Sequence, residues 1–155
     1  MNAQQVGGQG RVLPPVYFLL ALILMVCLHL FLPIRQLIPF PFRYLGAIPV
    51  LAALLLVVWA ALLFKQAGTT IKPFQQSSAL VVKGPYRLSR NPIYVGMVGA
   101  LMGVGVFLGS LSPFAVIPLF AWLIDRRFIR AEEAALEQTF EAAYREYKAR
   151  VRRWL

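Results

Sequence analysis

The sequence is poor in charge and in the side chains that hold metals or form disulfides. Only 14% of its 155 residues are charged, with one cysteine and one histidine. An average soluble domain has about 25% charged residues and about 45–50% apolar ones, whereas 59% are hydrophobic here. The single Cys27 excludes an intrachain disulfide scaffold. Disordered chains and ordinary soluble domains are also excluded, which leaves a small integral membrane protein.

The apolar residues are gathered into four runs, at 16–32, 44–66, 92–108 and 113–130. A helix needs about 20 residues to cross the hydrocarbon core. Only Gly109, Ser110, Leu111 and Ser112 separate the third run from the fourth, and such a short uncharged connection fits an antiparallel hairpin. We therefore expect one domain, 1–155, with an all-α fold of four transmembrane helices, the last two forming a tight hairpin. Residues 1–12 are expected to be disordered.

Basic residues lie mostly on one side of this arrangement. Four crossings place fourteen of the sixteen Lys and Arg residues on the side that holds both termini, and leave only Arg35 and Arg43 on the other. Cytoplasmic segments carry such an excess. We therefore expect a multi-pass protein of a bacterial cytoplasmic membrane with both termini cytoplasmic. Its net charge of +10 indicates topology and anionic lipid rather than a nucleic-acid partner. The oligomeric state stays open.

The C-terminal tail, 131–154, has the pattern of an amphipathic helix. Its apolar positions recur every three or four residues, with basic residues over much of the remaining surface. They are Leu136, Phe140, Tyr144, Tyr147, Val151 and Trp154. The tail is therefore predicted to lie along the cytoplasmic membrane surface or to cap the bundle from that side.

Two cytoplasmic segments have compositions that indicate chemistry. The segment 68–91 is long for a loop in so small a protein, and long loops are usually functional or disordered. It ends in Asn91, at a helix N-cap position, and Pro92, at the first helical position. The second segment contains Glu132 and Glu133, adjacent carboxylates in the most basic part of a chain that has six acidic residues.

A series of motif residues in these segments resembles the isoprenylcysteine carboxyl methyltransferase family, which is related to the phospholipid methyltransferases. They are Leu80, Val81, Gly84, Pro85, Tyr86, Arg90, Asn91, Pro92, Tyr94 and Gly96, then Glu132, Glu133, Leu136, Phe140, Tyr144, Tyr147, Arg150, Val151, Arg153 and Trp154. The similarity covers about half the chain. Asn91 stands where the eukaryotic members have His. Small bacterial-type members often have Asn at this position, as this chain does. Glu141 stands where Gly is common in the family.

The resemblance implies an S-adenosylmethionine-dependent membrane methyltransferase, with S-adenosylhomocysteine as product. It implies a cytoplasm-facing cofactor pocket between the segment before the third helix and the start of the C-terminal helix. The implied cofactor-binding residues are Leu80, Val81, Gly84, Tyr86, Asn91, Pro92, Tyr94 and Glu132. The substrate-side Arg of eukaryotic members falls at Phe128, and Arg127 or Arg130 is the expected substitute.

Residue chemistry is consistent with this implication. Glu132 could accept hydrogen bonds from the ammonium or the ribose hydroxyls of S-adenosylmethionine. Arg90 and the helix N-terminus at Pro92 could bind its carboxylate. Methyl transfer chiefly requires alignment, so neither a catalytic triad nor a metal is expected. Arg90, Asn91 and Tyr94 are the candidate catalytic residues. The acceptor is expected to be a lipophilic molecule from the bilayer: a prenylcysteine-like or isoprenoid carboxylate, or a phospholipid amine, for which Glu132 or Glu133 would be the base.

Several features have structural alternatives. Gly99 begins a Gly-x-x-x-Gly pattern, which is a candidate for the substrate side but is more often a site of helix packing. Glu133 is expected to be mainly structural, and His29 to make a hydrogen bond between helices or to lie at an interface. Two other functions remain open, namely a membrane oxidoreductase that uses NADPH and resembles the steroid 5α-reductases, and a non-catalytic membrane adaptor.

Overall fold

A computed structural model describes residues 13–68 and 79–155, and within these ranges the chain is helical with no strand. The long helices are α1 Pro14–Phe31, α2 Ala47–Gln66, α3 Pro92–Leu108, α4 Val116–Ile124 and α5 Arg130–Arg150. Short 3₁₀ turns cover Phe42–Gly46, Gly84–Arg87 and Ser112–Ala115, and a π turn covers Asp125–Ile129. The all-α prediction is confirmed. The disorder expected for 1–12, and part 69–78 of the predicted cofactor segment, lie outside the described residues.

Two of the helical stretches are long and apolar enough to cross a bilayer, namely α1 and the stretch Phe42–Gln66. Most of their apolar side chains point away from the rest of the protein, and Leu55 and Phe31 are 71% and 83% exposed. Surfaces of this kind are stable in contact with lipid. The chain is therefore a membrane protein, while the crossings by α3 and α4 remain predictions.

Helices α2 and α3 pack closely because glycines line their contact. A Cβ atom on Gly103 would lie 2.6 Å from the carbonyl oxygen of Gly46, and one on Gly96 would lie 2.5 Å from a methyl group of Val57. Small residues let helix backbones approach in this way in membranes. The third helix thus presents its glycine stripe to α2, while its other face contributes to the core.

The core lies where α1, α3 and α4 meet. Its fully buried apolar side chains include Met25, Leu101, Ile124 and Ile129, with Phe120 2% exposed. The helical backbone continues from α4 through the π turn into α5. The predicted fourth run, 113–130, is therefore divided into a 3₁₀ turn, an α-helix and a π turn.

The loop after α1 and the turn after α3 bind each other at the end of the bundle opposite α5. Gly109 has a φ angle of +77°, and its carbonyl oxygen accepts the backbone N–H groups of Leu37 and Ile38. His29 Nδ1 lies 2.7 Å from the hydroxyl of the fully buried Ser110. His29 thus makes a hydrogen bond within the protein, but its partner lies in the turn between α3 and α4 and not in another helix.

Helix α5 departs from the predicted continuous helix at two places. Glu141 has φ +42° and ψ −111°, so the helix is interrupted there. The helix ends at Arg150 rather than at 154, because Val151 is extended. The last five residues, Val151–Leu155, which we call the C-terminal segment, fold back toward the start of α3, where backbone hydrogen bonds hold them.

Candidate functional site

A tyrosine and a carboxylate meet where α3 and α5 begin. Pro92 starts α3, which places Tyr94 in its first turn, and Glu132 lies in the first turn of α5. The Tyr94 hydroxyl donates a hydrogen bond of 2.7 Å to Glu132 Oε1. Burial raises the pKa of Glu132, the bond from Tyr94 lowers it, and the charge of Glu133 raises it. The overall direction is upward, so this carboxylate holds a proton more readily than an exposed one.

Tyr86 lies beside this pair and is fixed from two sides. It belongs to the turn that starts at Gly84, and its ring packs edge-on against Phe64 with centroids 5.4 Å apart. The Tyr147 hydroxyl donates a 2.6 Å hydrogen bond to the Tyr86 carbonyl oxygen. Burial raises the pKa of the Tyr86 hydroxyl, and the charges of Tyr147 and Glu132 raise it further. Tyr86, Tyr94 and Glu132 therefore lie close together, and their role in binding a cofactor stays a prediction of the resemblance.

Glu133 points into a cluster of arginines. Its Oε1 lies 2.9 Å from Arg90 Nη2, and both side chains are less than 10% exposed. Arg153 approaches the same carboxylate with two nitrogens, Nη2 at 2.7 Å and Nε at 3.2 Å from Oε2. A buried carboxylate requires such partners because desolvation of an unpaired charge is costly. The expectation that Glu133 is mainly structural agrees with this arrangement.

A second carboxylate extends the cluster. Arg153 Nη1 donates to Asp125 Oδ1 at 3.1 Å, and Arg130 Nε donates to Asp125 Oδ2 at 2.9 Å. The hydrogen bonds with Glu133, together with the two negative charges, raise the pKa of Arg153. We call Arg90, Glu133, Arg153 and Asp125 the arginine–carboxylate network. It joins the start of α3, the start of α5 and the C-terminal segment.

The C-terminal segment covers the residues just before α3. The carbonyl oxygen of Arg153 accepts hydrogen bonds from Ser89 Oγ at 3.2 Å and from Asn91 Nδ2 at 3.0 Å. The Arg90 N–H donates to the Arg152 carbonyl at 2.9 Å, and Arg90 Nη1 to that of Lys148 at 3.2 Å. Asn91 occupies the N-cap position as predicted, but its side chain does not cap the helix. Two of the three predicted catalytic residues, Arg90 and Asn91, thus bond to groups of the C-terminal region, and the third, Tyr94, bonds to Glu132.

Other predicted site residues take different places. Leu80 and Val81 are half-buried and precede the turn at Gly84, where a Cβ atom would lie 2.8 Å from a Leu63 methyl group. Arg127 is exposed on the π turn, and Arg130 forms an ion pair with Asp125, whereas the hydrogen-bond partner of Glu132 is Tyr94. At Gly99 a Cβ atom would lie 3.5 Å from that of Ala53, in the contact with α2.

An apolar cleft of about 360 Å³ lies next to the site, between α3 and α4. It is lined by Val95, Val98, Ala121, Trp154 and Leu155. Val95 follows Tyr94 in the chain and Trp154 follows Arg153, so the cleft is lined by direct sequence neighbours of these two residues. A surface of this composition suits the hydrocarbon part of a ligand.

The donor set of the site fits a ligand that carries an ammonium or hydroxyl groups. The second oxygen of Glu132, Oε2, accepts no hydrogen bond from residues 13–68 or 79–155, so the carboxylate keeps acceptor capacity. Arg90 is less suited to a ligand carboxylate because Glu133 already neutralises it. In the part of the chain that the structure describes, no three metal-binding side chains come together.

Sequence reasoning did not single out Asp125 and Ser89, and it included Arg153 among the motif residues without assigning it a role in this site. The scarcity of acidic residues was the available signal, because each buried carboxylate in so basic a chain needs a cationic partner. Spacing could not select the partner. Glu133 and Arg153 are 20 positions apart, and the apolar spacing predicts that the C-terminal segment continues the helix.

Comparison with known proteins gives a family and several relatives. A sequence model described as phospholipid methyltransferase matches residues 42–143. The cobalt-zinc-cadmium resistance protein CzcN of Cupriavidus metallidurans is 35% identical over 66 residues, which are 43% of this chain and 31% of that protein. The nickel-cobalt-cadmium resistance protein NccN of Alcaligenes xylosoxydans xylosoxydans is 32% identical over 66 residues, again 43% and 31%.

An uncharacterized protein of Haemophilus influenzae is 33% identical over 63 residues, which are 41% of this chain and all of that protein. The matched segment thus spans about a third of each resistance protein. No solved structure matches the chain.

Proposed function

The chain belongs to the phospholipid methyltransferase family, and from that premise we propose that it transfers a methyl group from S-adenosylmethionine to a lipophilic acceptor in the membrane. The observation that carries the proposal is the Tyr94–Glu132 pair. A carboxylate with a raised pKa is kept half-buried beside the apolar cleft, in a chain with few acidic residues. Perturbed carboxylates of this kind concentrate at functional sites.

Glu132 is proposed to hold the polar end of the cofactor. Its free acceptor positions suit the ammonium or the ribose hydroxyls, and hydrogen bonds to a carboxylate are about twice as strong as neutral ones. Tyr86, Leu80 and Val81 supply the adjoining aromatic and apolar surface. When bound, S-adenosylmethionine supplies a methyl group already activated by its positive sulfur. The residues of the chain therefore bind, align and exclude water.

The acceptor is proposed to bring its hydrocarbon part into the cleft between α3 and α4. A carboxylate acceptor is ionised at pH 7 and needs no base. An amine acceptor must lose a proton, and the proposed base is Glu132, whose pKa is raised by burial, or Glu133. A prenylcysteine-like acid, an isoprenoid acid and a phospholipid amine are all compatible with the apolar lining of the cleft.

Ligand binding to the purified protein in detergent tests the cofactor. We expect S-adenosylhomocysteine to raise the melting temperature and NADPH to leave it unchanged. Stabilisation by NADPH alone would favour the oxidoreductase alternative, and stabilisation by neither would favour the adaptor.

The matched variants Glu132→Gln and Glu137→Gln test the site. Both lie on α5, but Glu137 pairs with Lys148 at the surface. Loss of a charged hydrogen-bond partner costs about 1.5–3 kcal/mol, so Glu132→Gln should weaken S-adenosylhomocysteine binding about 10- to 100-fold. The Glu137 variant should bind normally. Equal affinities in the two variants would contradict the proposed role of Glu132.

Transfer of labelled methyl groups into a native lipid extract identifies the acceptor. A methyl ester releases labelled methanol in mild base, whereas a methylated amine keeps its label. The two outcomes separate carboxyl from amine acceptors. Label found only in protein, or in no product, would contradict a lipid acceptor.

A further inference from the structure

We propose that Arg153 is a positioning residue that holds Tyr94 and Glu132 at hydrogen-bond distance. The inference rests on the proposed function, because it assumes that the Tyr94–Glu132 pair binds the cofactor. The guanidinium of Arg153 forms hydrogen bonds with Glu133 and Asp125 and with neither residue of the pair. It contacts the two elements on which they stand, the start of α3 and the start of α5.

The guanidinium of Arg153 fixes the rotation of α5. Consecutive residues on a helix point about 100° apart, so Glu132 and Glu133 face different neighbours. Arg153 holds Glu133 with Nη2 and Nε, and two donors on one carboxylate restrict its orientation as well as its distance. Any rotation of the first turn of α5 that moved Glu132 away from Tyr94 would also break this fork, by which we mean the two hydrogen bonds from Arg153 to Glu133.

Arg153 also connects α5 with the end of α4. Its Nη1 donates to Asp125, the first residue of the π turn, whereas Glu133 lies beyond that turn. The guanidinium of Arg153 therefore bridges the π turn Asp125–Ile129, which joins α4 to α5. The geometry of the turn sets the rotation of α5 relative to α4, and the bridge from Asp125 to Glu133 holds that rotation in place.

The backbone of Arg153 fixes the other partner. Its carbonyl oxygen accepts hydrogen bonds from the side chains of Ser89 and Asn91, two residues just before α3. Tyr94 follows three residues after Asn91, in the first turn. A single residue thus binds the start of α3 through its carbonyl group and the start of α5 through its guanidinium.

Charge pairing indicates that the side chain can be replaced without exposing an unpaired buried charge. Without Arg153, Glu133 keeps Arg90 and Asp125 keeps Arg130. The carbonyl contacts do not depend on the side chain. Replacement should therefore loosen the position of Glu132 while the bundle persists, and lysine should restore part of the effect, since it keeps the charge but lacks the fork.

Titration calorimetry with S-adenosylhomocysteine on the purified full chain tests the inference with Arg153→Met and Arg153→Lys. Arg150→Met is the matched control, because Arg150 is exposed and, among the described residues, its side chain pairs with Glu146 at the surface. We expect Kd to rise about tenfold in the methionine variant and less in the lysine variant, with the stoichiometry unchanged. A merely structural role would lower the fraction of protein that binds and leave Kd unchanged.

The variant Asp125→Asn provides a second route if Arg153→Met does not fold. It removes one charge from the bridge, and we expect a smaller rise in Kd. Unchanged Kd in the folded Arg153 or Asp125 variants, while Glu132→Gln weakens binding, would overturn the positioning role alone. Unchanged Kd in Glu132→Gln would instead overturn the proposed function.

Discussion

Two tyrosines on α5 have hydroxyl groups in opposite situations. The Tyr147 hydroxyl donates to the Tyr86 carbonyl oxygen at 2.6 Å, and burial raises its pKa to about 12. The Tyr144 side chain is 1% exposed, and its hydroxyl has no hydrogen-bond partner among the described residues. A buried hydroxyl without a partner is destabilising, whereas a satisfied one contributes to stability.

The two tyrosine-to-phenylalanine variants should therefore change stability in different directions. Tyr147→Phe leaves the Tyr86 carbonyl without its donor and should lower the free energy of unfolding by about 1 kcal/mol. Tyr144→Phe removes an unpaired polar group and should leave stability equal or higher. Melting of both variants in the same detergent measures the difference. A loss for Tyr144→Phe as large as that for Tyr147→Phe would show that its hydroxyl does have a partner.

At the level of single residues, the sequence could identify the carboxylates but not their partners. Glu132 and Glu133 were visible because acidic residues are rare, and the family resemblance separated their roles. Tyr94 and Glu132 are 38 positions apart, and only the resemblance linked them. The choice of Arg153 rather than another basic residue depends on the backbone of Val151–Leu155, whose fold is set by contacts with Ser89, Arg90 and Asn91.

Helix α5 contains a residue in a backbone conformation that disfavours side chains. Glu141 has φ +42°, and it stands where members of the isoprenylcysteine carboxyl methyltransferase family, which the sequence resembles, commonly have Gly. Non-glycine residues in such regions carry about 1–3 kcal/mol of strain. Glu141→Gly should therefore raise the free energy of unfolding by about 1 kcal/mol.

The matched control is Ala143→Gly, two residues later within the same helix. Glycine in place of alanine inside a helix costs about 1 kcal/mol. Chemical unfolding of both variants should thus give shifts of opposite sign. A loss of stability in both would mean that position 141 is helical in the folded protein.

The glycine stripe of α3 offers a second pair of variants at the level of the element. A Cβ atom on Gly103 would lie 2.6 Å from the Gly46 carbonyl oxygen and 2.9 Å from the Val50 nitrogen, both backbone atoms. On Gly99 it would lie 3.5 Å from the Ala53 Cβ atom, which is an ordinary contact. Gly103→Ala should therefore cost about 1–3 kcal/mol, while Gly99→Ala should be neutral or slightly stabilising.

Thermal melting in detergent measures these costs, and methyl transfer into lipid extract measures the functional effect. Because Gly99 contacts α2, its alanine variant should retain methyl transfer. A stable Gly99→Ala variant that had lost methyl transfer would restore Gly99 as a substrate-side residue.

The positions of the elements could be predicted more fully than their ends. Apolar runs, together with Pro92 at the start of α3, predicted α1 and α3 within two residues, because burial in lipid and the missing backbone donor of proline act locally. The end of α5 could not be predicted in this way. The apolar spacing continues through Val151 to Trp154, yet Val151 is extended, because hydrogen bonds with distant residues determine the path of the C-terminal segment.

At the scale of the whole molecule, contacts between two loops constrain the topology. The Gly109 carbonyl oxygen accepts the N–H groups of Leu37 and Ile38, and the Leu111 N–H donates to the Arg35 carbonyl. The loop after α1 and the turn after α3 must therefore lie on the same side of the membrane. Because α2 begins on this side, a crossing by α2 requires that α3 cross back, whereas the crossing by α4 stays a prediction.

Cysteine labelling in intact cells tests that topology. In a Cys27→Ser background, single cysteines replace Leu37, Leu111 or Arg145, all exposed in the structure. Few basic residues flank the first two positions and many flank the third, so a membrane-impermeant maleimide should label 37 and 111 directly and 145 only after permeabilisation. Labelling at 37 without labelling at 111 would indicate two crossings and would also require that the loop contacts be absent in the membrane. Direct labelling at 145 alone would place the Tyr94–Glu132 site on the side away from cytoplasmic S-adenosylmethionine, and the proposed reaction could not proceed there.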